Sequence, residues 1–243
     1  MRRVLSFIFG WCFIIVCVVF SIKSTALNPD FYIPEYEEMD LASDIGVSKK
    51  DLNQSIRLLL DYLDDKRDDI KGHITWYGVS QETFNEKETS HMVDVKALYQ
   101  NALRFAKTAL IILVLIVLYF YWNEKELMFA YLSKGFLTAM FTFIVMLVFF
   151  GFWIFTDFTS FWTWFHTIFF TNQLWLLDPN TDFMICMLPE TIFYKLVLAC
   201  VIKVICFVAL ASGLAIYYMV KKAPIGFERC LYLRLNLREE KRY

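Results

Sequence analysis

The sequence is poor in the residues and motifs on which most soluble enzymes depend. It contains three histidines, His73, His91 and His166. It has no GxGxxG or GxxxxGKS/T segment for a nucleotide, no HExxH for zinc and no GxSxG for a nucleophilic serine. Its six cysteines form no CxxC pair, which argues against a disulfide oxidoreductase and a zinc site. We therefore expect no metal and no cofactor.

Hydrophobic residues make up 58% of the 243 residues, and they are concentrated in four runs. A helix that crosses a bilayer needs about 20 such residues. We therefore predict an α-helical integral membrane protein with four transmembrane helices, at residues 1–22, 108–122, 136–155 and 196–220.

Lysines and arginines are unevenly distributed between the connecting segments. Two arginines precede the first run and residues 221–243 form a basic tail, whereas the segment 156–195 is mainly acidic. Because short cytoplasmic segments are enriched in Lys and Arg, we place both termini and the loop 123–135 in the cytoplasm. Residues 23–107 and 156–195 are then extracytoplasmic. The net charge of -1 argues against nucleic acid as a partner.

The segment 23–107 is predicted to form a small α+β extracytoplasmic cap that leads into the second span. Ser48 followed by Asp51 is typical of a helix start, and the leucines behind it recur at helical spacing. Residues 74–79 are rich in β-branched and aromatic side chains, which favours a strand. A further helix is predicted to begin at His91 and to continue into the second span.

The second extracytoplasmic segment is unusually aromatic. Residues 159–177 are almost all aromatic or aliphatic, and their tryptophans suit the headgroup region of a membrane, so we predict an interfacial helix there. Pro189 and Glu190 suit the first turn of the helix that carries the fourth span. Within that span, we interpret Ser212-Gly213 as a close helix contact.

His166 lies within this aromatic segment, in the stretch FWTWFHTIFF at 161–170. The ordinary interpretation is a packed ring with one hydrogen bond, and for His91 a polar residue in the first turn of a helix. The functional interpretation is proton transfer near neutral pH. No serine or cysteine nucleophile is evident, so water or the substrate itself would have to attack. A substrate in the outer interface would be a lipid or a lipid-anchored molecule.

Three blocks of sequence carry a family resemblance. They are FNEKETSHMVDVKALY at 84–99, FHTIFF at 165–170, and WLLDPNTD at 175–182 with LPETIFY at 188–194. Together they resemble the lipoprotein intramolecular transacylase (Lit) family of Gram-positive bacteria, and the resemblance extends over nearly the whole chain. It implies an acyltransferase of the bacterial cell membrane whose active site faces the extracytoplasmic side. The histidine pair of the family falls on His91 and His166.

The activity implied by this resemblance is an acyl shift within one lipoprotein. The sn-2 acyl chain of the diacylglyceryl-cysteine moves to the α-amino group of the same cysteine, which gives an N-acyl lyso-form lipoprotein. Amine and ester are tethered, so neither a nucleotide nor a separate acyl donor is required. One imidazole would take the proton of the amine while the other donates to the oxyanion or the leaving oxygen. We favour His91 as the base and His166 as the donor.

Other residues are expected to support the site or to contact the substrate. Glu88 and Asp94 are expected to orient His91, and Lys203 in the fourth span either balances an acid near the site or extends outward. The remaining candidates are Tyr99, Trp175, Asp182 and Glu190.

Two other functions stay open at this stage. One is a non-catalytic membrane subunit that binds lipid or assembles partners, with histidines that only pack. The other is a lipid ester hydrolase in which the same histidines activate water. The expected partners are diacylglyceryl lipoproteins and membrane lipid, with no nucleotide.

Overall fold

A computed structural model describes residues 1–221 of the chain. The basic tail predicted at 221–243 therefore lies, from residue 222 onward, outside the described residues. The described chain consists of helices and one β-hairpin: α1 (Arg2–Ala26), α2 (Pro29–Glu38), α3 (Leu41–Asp44), α4 (Lys49–Leu63), β1 (His73–Trp76), β2 (Val79–Glu82), α5 (Glu86–Asn123), α6 (Met128–Thr156), α7 (Phe158–Phe169), α8 (Phe183–Met187) and α9 (Glu190–Lys221).

Four of these helices, α1, α5, α6 and α9, are long and apolar enough to cross a membrane. The prediction of four membrane helices is thus confirmed, but the helices are longer than the apolar runs. The α5 helix has 38 residues and begins with Glu86 and Glu88 in its first turn, where the helix dipole favours acids. Its polar first half is helical as well, so the helix begins well before the predicted span 108–122 and before His91.

The chain divides into two compact units. The first comprises Met1–Val18, Phe105–Phe150 and the residues from Val204 onward. In it, α1 and α6 approach closely at glycines: a Cβ atom on Gly10 would lie 2.6 Å from the Cβ of Ala139. The close helix contact predicted at Ser212-Gly213 is confirmed at Ser212, which is buried and whose hydroxyl group donates to Sδ of Met140 on α6. Gly213 takes no part in it, because a Cβ there would meet nothing within 4 Å.

The second unit comprises Val19–Arg104 and Gly151–Lys203. Its core is formed by apolar side chains of α2, α3, α4, β1, α8 and the segments that adjoin them. The helix predicted at Ser48 is confirmed, since the Ser48 side chain accepts a hydrogen bond of 3.0 Å from the backbone N–H of Asp51 and α4 follows. Leu52, Ile56 and Leu59 on its inner face are buried.

The strand predicted at 74–79 is confirmed for residues 74–76, but the chain turns back at Tyr77 and Gly78 and Val79 begins a second strand. The strands β1 and β2 pair antiparallel, with His73 opposite Glu82 and Trp76 opposite Val79. Tyr77 and Gly78 both have positive φ, 48° and 81°, as a tight two-residue hairpin turn requires.

Lys203 is bound by neutral groups rather than by an acid. Its Nζ donates to the Oγ of Ser24 at 3.0 Å and to the Oγ1 of Thr25 at 2.8 Å. Both partners lie in the last turn of α1, where the carbonyl end of the helix carries partial negative charge. This contact lies within the second unit and joins α9 to the end of α1.

Candidate active site

The two histidines of the predicted pair meet in the second unit. His91 stands in the second turn of α5 and His166 in the last turn of α7, and their ring centroids are 6.1 Å apart. Only 5% of His91 and 7% of His166 is exposed. The third histidine, His73, lies on the exposed hairpin and takes no part in the pair.

Aromatic side chains enclose both imidazoles. The ring of Phe170 lies 5.1 Å from that of His91 and 5.6 Å from that of His166. Trp162 and Trp175 each lie 4.9 Å from the His166 ring. The predicted Trp175 is thus part of the site, together with Phe170 and Trp162. An imidazole in this setting is screened from water and favours its neutral form.

A hydrogen bond sets the tautomer of His166. Its Nδ1 lies 2.7 Å from the carbonyl oxygen of Trp162. A carbonyl can only accept, so Nδ1 carries the hydrogen and, in the neutral ring, Nε2 carries the lone pair. Burial lowers the pKa of His166, and the Trp162 carbonyl opposes this shift.

His91 has a different environment. Its Nδ1 is buried and has no hydrogen-bond partner among the described residues. Burial and then the neighbouring His166 lower the pKa of His91 to about 4, against an opposing contribution from Asp94. The ring is therefore neutral near pH 7, where it can donate a hydrogen bond but is a weak base.

Glu88 forms no hydrogen bond with His91 among the described residues but fixes the start of the helix that carries it. The carboxyl group is buried and accepts hydrogen bonds from the backbone N–H of Asn85 at 2.7 Å and of Met184 at 2.5 Å. Burial raises the pKa of Glu88 to about 7. The side chain ties α5 to the start of α8.

Asp182 adds a second connection at the same place. Its carboxylate, on a residue only 2% exposed, accepts from Lys87 at 3.1 Å, from the Asn85 side chain at 2.8 Å and from the Asp178 backbone at 2.8 Å. Burial alone would raise the pKa of Asp182, but these hydrogen bonds, led by that from Asp178, lower it. Asp182 is thus a structural anchor that does not reach the histidines.

Asp94 lies one turn beyond His91 and is held by a residue that the sequence analysis did not single out. The side-chain amide of Asn172 donates to Oδ2 of Asp94 at 2.8 Å. The backbone carbonyl of Asn172 in turn accepts from the indole N–H of Trp175 at 3.0 Å. Asn172 therefore links the helix of His91 to the tryptophan that packs on His166.

The other predicted residues divide into one near the site and two away from it. The hydroxyl group of Tyr99 is buried without a partner among the described residues, and its ring lines the cavity beside the histidines. Glu190 accepts a hydrogen bond of 2.8 Å from Thr159 and joins the starts of α9 and α7. Glu190 and Lys203 do not line the cavity.

An apolar cavity of about 500 Å³ opens beside the histidine pair. Along α5 its wall runs from His91 through Val95 and Tyr99 to Ala102, on one face of the helix. The opposite walls come from α1, α2, α4, α7, α8, the start of α9 and the segments beside them. A mostly hydrocarbon-lined space with two imidazoles in its wall suits an acyl chain that carries a reactive group.

Within residues 1–221, no group of three or more His, Cys, Asp or Glu side chains is arranged to hold a metal ion. Glu88 is hydrogen-bonded instead to the backbone of Asn85 and Met184, and Asp94 to the side chain of Asn172.

These features define a helical membrane protein with a buried histidine pair in the wall of an apolar cavity. The sequence model of the family "Lipoprotein intramolecular transacylase Lit" matches residues 7–193, and the chain belongs to this family. No curated protein matches the chain.

Solved structures show the same fold. The membrane-integral lipoprotein intramolecular transacylase Lit from Bacillus cereus has a TM-score of 0.72 at 21% identity, covering 93% of this chain and 98% of that chain. Two further structures of the Bacillus cereus protein carry a substitution of one histidine, by arginine and by alanine. Each has a TM-score of 0.69 at 18% identity. Each match covers 93% of this chain, and it covers 94% of the arginine variant and 96% of the alanine variant.

Proposed function

We propose that the protein moves the sn-2 acyl chain of a diacylglyceryl-cysteine lipoprotein to the α-amino group of that cysteine, with His91 and His166 as the catalytic pair. The observation that carries this proposal is the pairing of two buried imidazoles in the wall of an apolar cavity. Family membership supports an acyl transfer on lipoproteins. The chemistry needs no protein nucleophile, because the amine of the substrate attacks its own ester.

The cavity supports a substrate with one long hydrocarbon chain inside it. A largely hydrocarbon-lined cavity of about 500 Å³ has room for an acyl chain of common membrane-lipid length. We infer that the chain to be transferred lies in the cavity with its ester beside the imidazoles.

His166 acts as the general base in this proposal. Its Nδ1–H is held by the Trp162 carbonyl, so Nε2 presents a lone pair. This Nε2 accepts the proton from the α-amino nitrogen as that nitrogen attacks the ester carbon. The hydrogen bond favours His166 as the base, which is the reverse of the assignment favoured from the sequence.

His91 acts as the hydrogen-bond donor. As a neutral ring it stabilises the oxyanion that forms on the ester carbonyl oxygen. The new C–N bond then remains, the bond between the carbonyl carbon and the glyceryl oxygen breaks, and the proton held by His166 passes to the glyceryl oxygen. The product has the same atoms as the substrate, and both histidines return to their initial state.

A reaction with a diacyl lipopeptide tests the proposal. Purified protein should convert it to a product of equal mass in which one ester has become an amide, and acetylation of the amine should prevent this. Two lipopeptides with different isotope-labelled chains should each keep their own chains when mixed. Release of free fatty acid would favour a hydrolase, exchange of chains would indicate an intermolecular transferase, and no reaction would favour a non-catalytic lipid-binding or assembly subunit.

We also propose that the second unit faces the extracytoplasmic side, as the distribution of Lys and Arg favours. Ser80 is exposed on β2, and Glu126 is exposed between α5 and α6. In intact cells, a membrane-impermeant thiol reagent should add label to Ser80→Cys but not to Glu126→Cys, each compared with the parent chain. The reverse pattern would place the site in the cytoplasm and contradict the proposal.

A further inference from the structure

Asp94 presents a negative charge near the histidine pair with no cationic partner among the described residues. Asn172 donates to its Oδ2 at 2.8 Å, and no lysine or arginine of residues 1–221 forms an ion pair with it. The other two acids of this region are engaged, Glu88 by two backbone N–H groups and Asp182 by Lys87. Oδ1 of Asp94 is therefore available to a cation from outside the chain.

A second observation independently points to a ligand at this place. The Nδ1 atom of His91, one helical turn before Asp94, is buried and has no partner among the described residues, on a residue that is only 5% exposed. Buried polar atoms without a partner are rare and costly. A ligand that lies between the histidines and Asp94 would satisfy Nδ1 of His91 and Oδ1 of Asp94 together.

We propose that the Asp94 carboxylate binds the α-ammonium group of the N-terminal cysteine of the substrate and holds its nitrogen next to the histidine pair. This inference rests on the proposed function. An α-amino group has a pKa of about 7.7–8.0, so most of it is protonated at neutral pH and carries a positive charge. Asp94 is thus a substrate-binding residue that selects lipoproteins with a free amine.

The hydrogen bond from Asn172 moderates the strength with which Asp94 binds the ammonium group. An unshared carboxylate would hold the ammonium group tightly and oppose the loss of its extra proton to water, which must come before the neutral amine attacks the ester and gives a proton to His166. The amide of Asn172 occupies Oδ2, spreads the negative charge and fixes the plane of the carboxylate. Binding through the remaining oxygen attracts the amine and still allows its proton to leave.

The competing explanation is that Asp94 only ties α5 to Asn172. Two substitutions separate these roles. Asp94→Asn removes the charge but keeps an oxygen that accepts from Asn172, whereas Asn172→Ala removes the tie and keeps the charge. Asp94→Glu keeps the charge at a slightly different reach and serves as the conservative control.

The test measures binding instead of turnover. Two unreactive analogues are used, both with ether-linked chains in place of esters, one with a free amine and one with an acetylated amine. At pH 7 the parent protein should bind the free-amine analogue about tenfold more tightly, the factor for about 1.4 kcal/mol. Asp94→Asn should bind both analogues equally, and Asp94→Glu should restore most of the preference.

The controls decide between the two explanations. Asn172→Ala should keep the preference for the free amine even if it binds both analogues more weakly, and in the parent protein the preference should disappear at pH values well above 8. A full preference in Asp94→Asn, or its loss in Asn172→Ala as well, would overturn the inference. The proposed function fails on a different result, namely the absence of an N-acyl product from the ester substrate.

Discussion

Nδ1 of His166 lies 2.7 Å from the carbonyl oxygen of Trp162, one helical turn earlier on α7. This relationship fixes the proton on Nδ1 and leaves the lone pair of the neutral ring on Nε2. The same ring is buried among Trp162, Phe170 and Trp175, which lowers its pKa. A base of this kind stays neutral, and so remains ready to accept a proton, at pH values below the usual range of histidine.

The first prediction concerns the pH dependence of turnover. The α-amino group of the substrate has a pKa of about 7.7–8.0, so kcat should fall by up to tenfold per pH unit below that range as the amine is protonated. Because burial lowers the pKa of His166 from 6.5, protonation of His166 should add to this decline only below pH 6.5. The measurement is kcat at saturating lipopeptide between pH 4 and 9. A decline steeper than tenfold per pH unit above pH 6.5 would contradict a buried neutral base at this position.

The second prediction concerns the two histidines themselves. His91→Ala and His166→Ala should each lower kcat by about 10²–10⁴-fold, the usual contribution of a positioned acid or base. Since both act on one transition state, the double variant should be little slower than the slower single variant. His73→Ala, on the exposed hairpin, is the matched control and should keep parent activity. Independent, multiplicative losses would show that the two rings do not act together.

The sequence predicted the membrane helices and the residues of the pair, for physical reasons that are local. A run of about 20 apolar residues indicates a span without any tertiary information, and the Ser48 cap marks the start of α4. The family resemblance selected His91 and His166. Asn28 with Pro29 at the start of α2 is a comparable local signal, but it was not interpreted.

The surroundings of the pair depend on contacts between residues far apart in sequence. Glu88 was expected to orient His91, yet its partner is the backbone of Met184, 96 residues away. Asn172 was missed because an exposed asparagine carries no signal until its partner Asp94, 78 residues away, is known. The roles of the histidines likewise depend on the Trp162 carbonyl, and backbone acceptors are invisible in a sequence.

The third prediction tests Glu88 as an anchor of α5. Glu88→Ala leaves the buried N–H groups of Asn85 and Met184 without acceptors, at a cost of about 1–3 kcal/mol for each group left unsatisfied. The melting temperature in detergent should fall clearly. Glu86→Ala, an exposed acid in the same first turn, should change it little. Equal melting temperatures for the two variants would remove Glu88 from this role.

The fourth prediction concerns the contact between α1 and α6. A Cβ atom on Gly10 would lie 2.6 Å from the Cβ of Ala139 and 2.9 Å from the Cα of Phe136, so the helices would have to separate. Gly10→Leu should therefore destabilise the protein by about 1–3 kcal/mol or more, as overpacking usually does. Gly213→Leu is the control, since a Cβ there meets nothing within 4 Å. Thermal unfolding of both variants in detergent should show a large loss only for Gly10→Leu.

The last prediction uses two buried groups whose pKa values are shifted in opposite directions. The pKa of His91 is lowered from 6.5 to about 4, so the unfolded chain binds the proton more readily. Its contribution to stability is present above pH 6.5 and is lost as the pH falls towards 4. The pKa of Glu88 is raised from 4.5 to about 7, so its contribution is present below pH 4.5 and is lost as the pH rises through 7. In the parent protein the two contributions largely cancel between pH 4.5 and 6.5.

Substitution should separate these two contributions. His91→Leu removes a group whose protonation destabilises the folded protein. Relative to the parent, this variant should therefore gain stability as the pH falls from 6.5 to 4, by at most about 3 kcal/mol from a shift of this size. Glu88→Gln removes a group whose protonation stabilises the folded protein. Relative to the parent, this variant should therefore lose stability as the pH falls from 7 to 4.5. The measurement is the melting temperature of each variant minus that of the parent, in detergent across this range. Differences that do not change with pH would mean that neither group has a different pKa in the folded and unfolded chains. Differences that change in the same direction in both variants would contradict the opposite signs of the two pKa shifts.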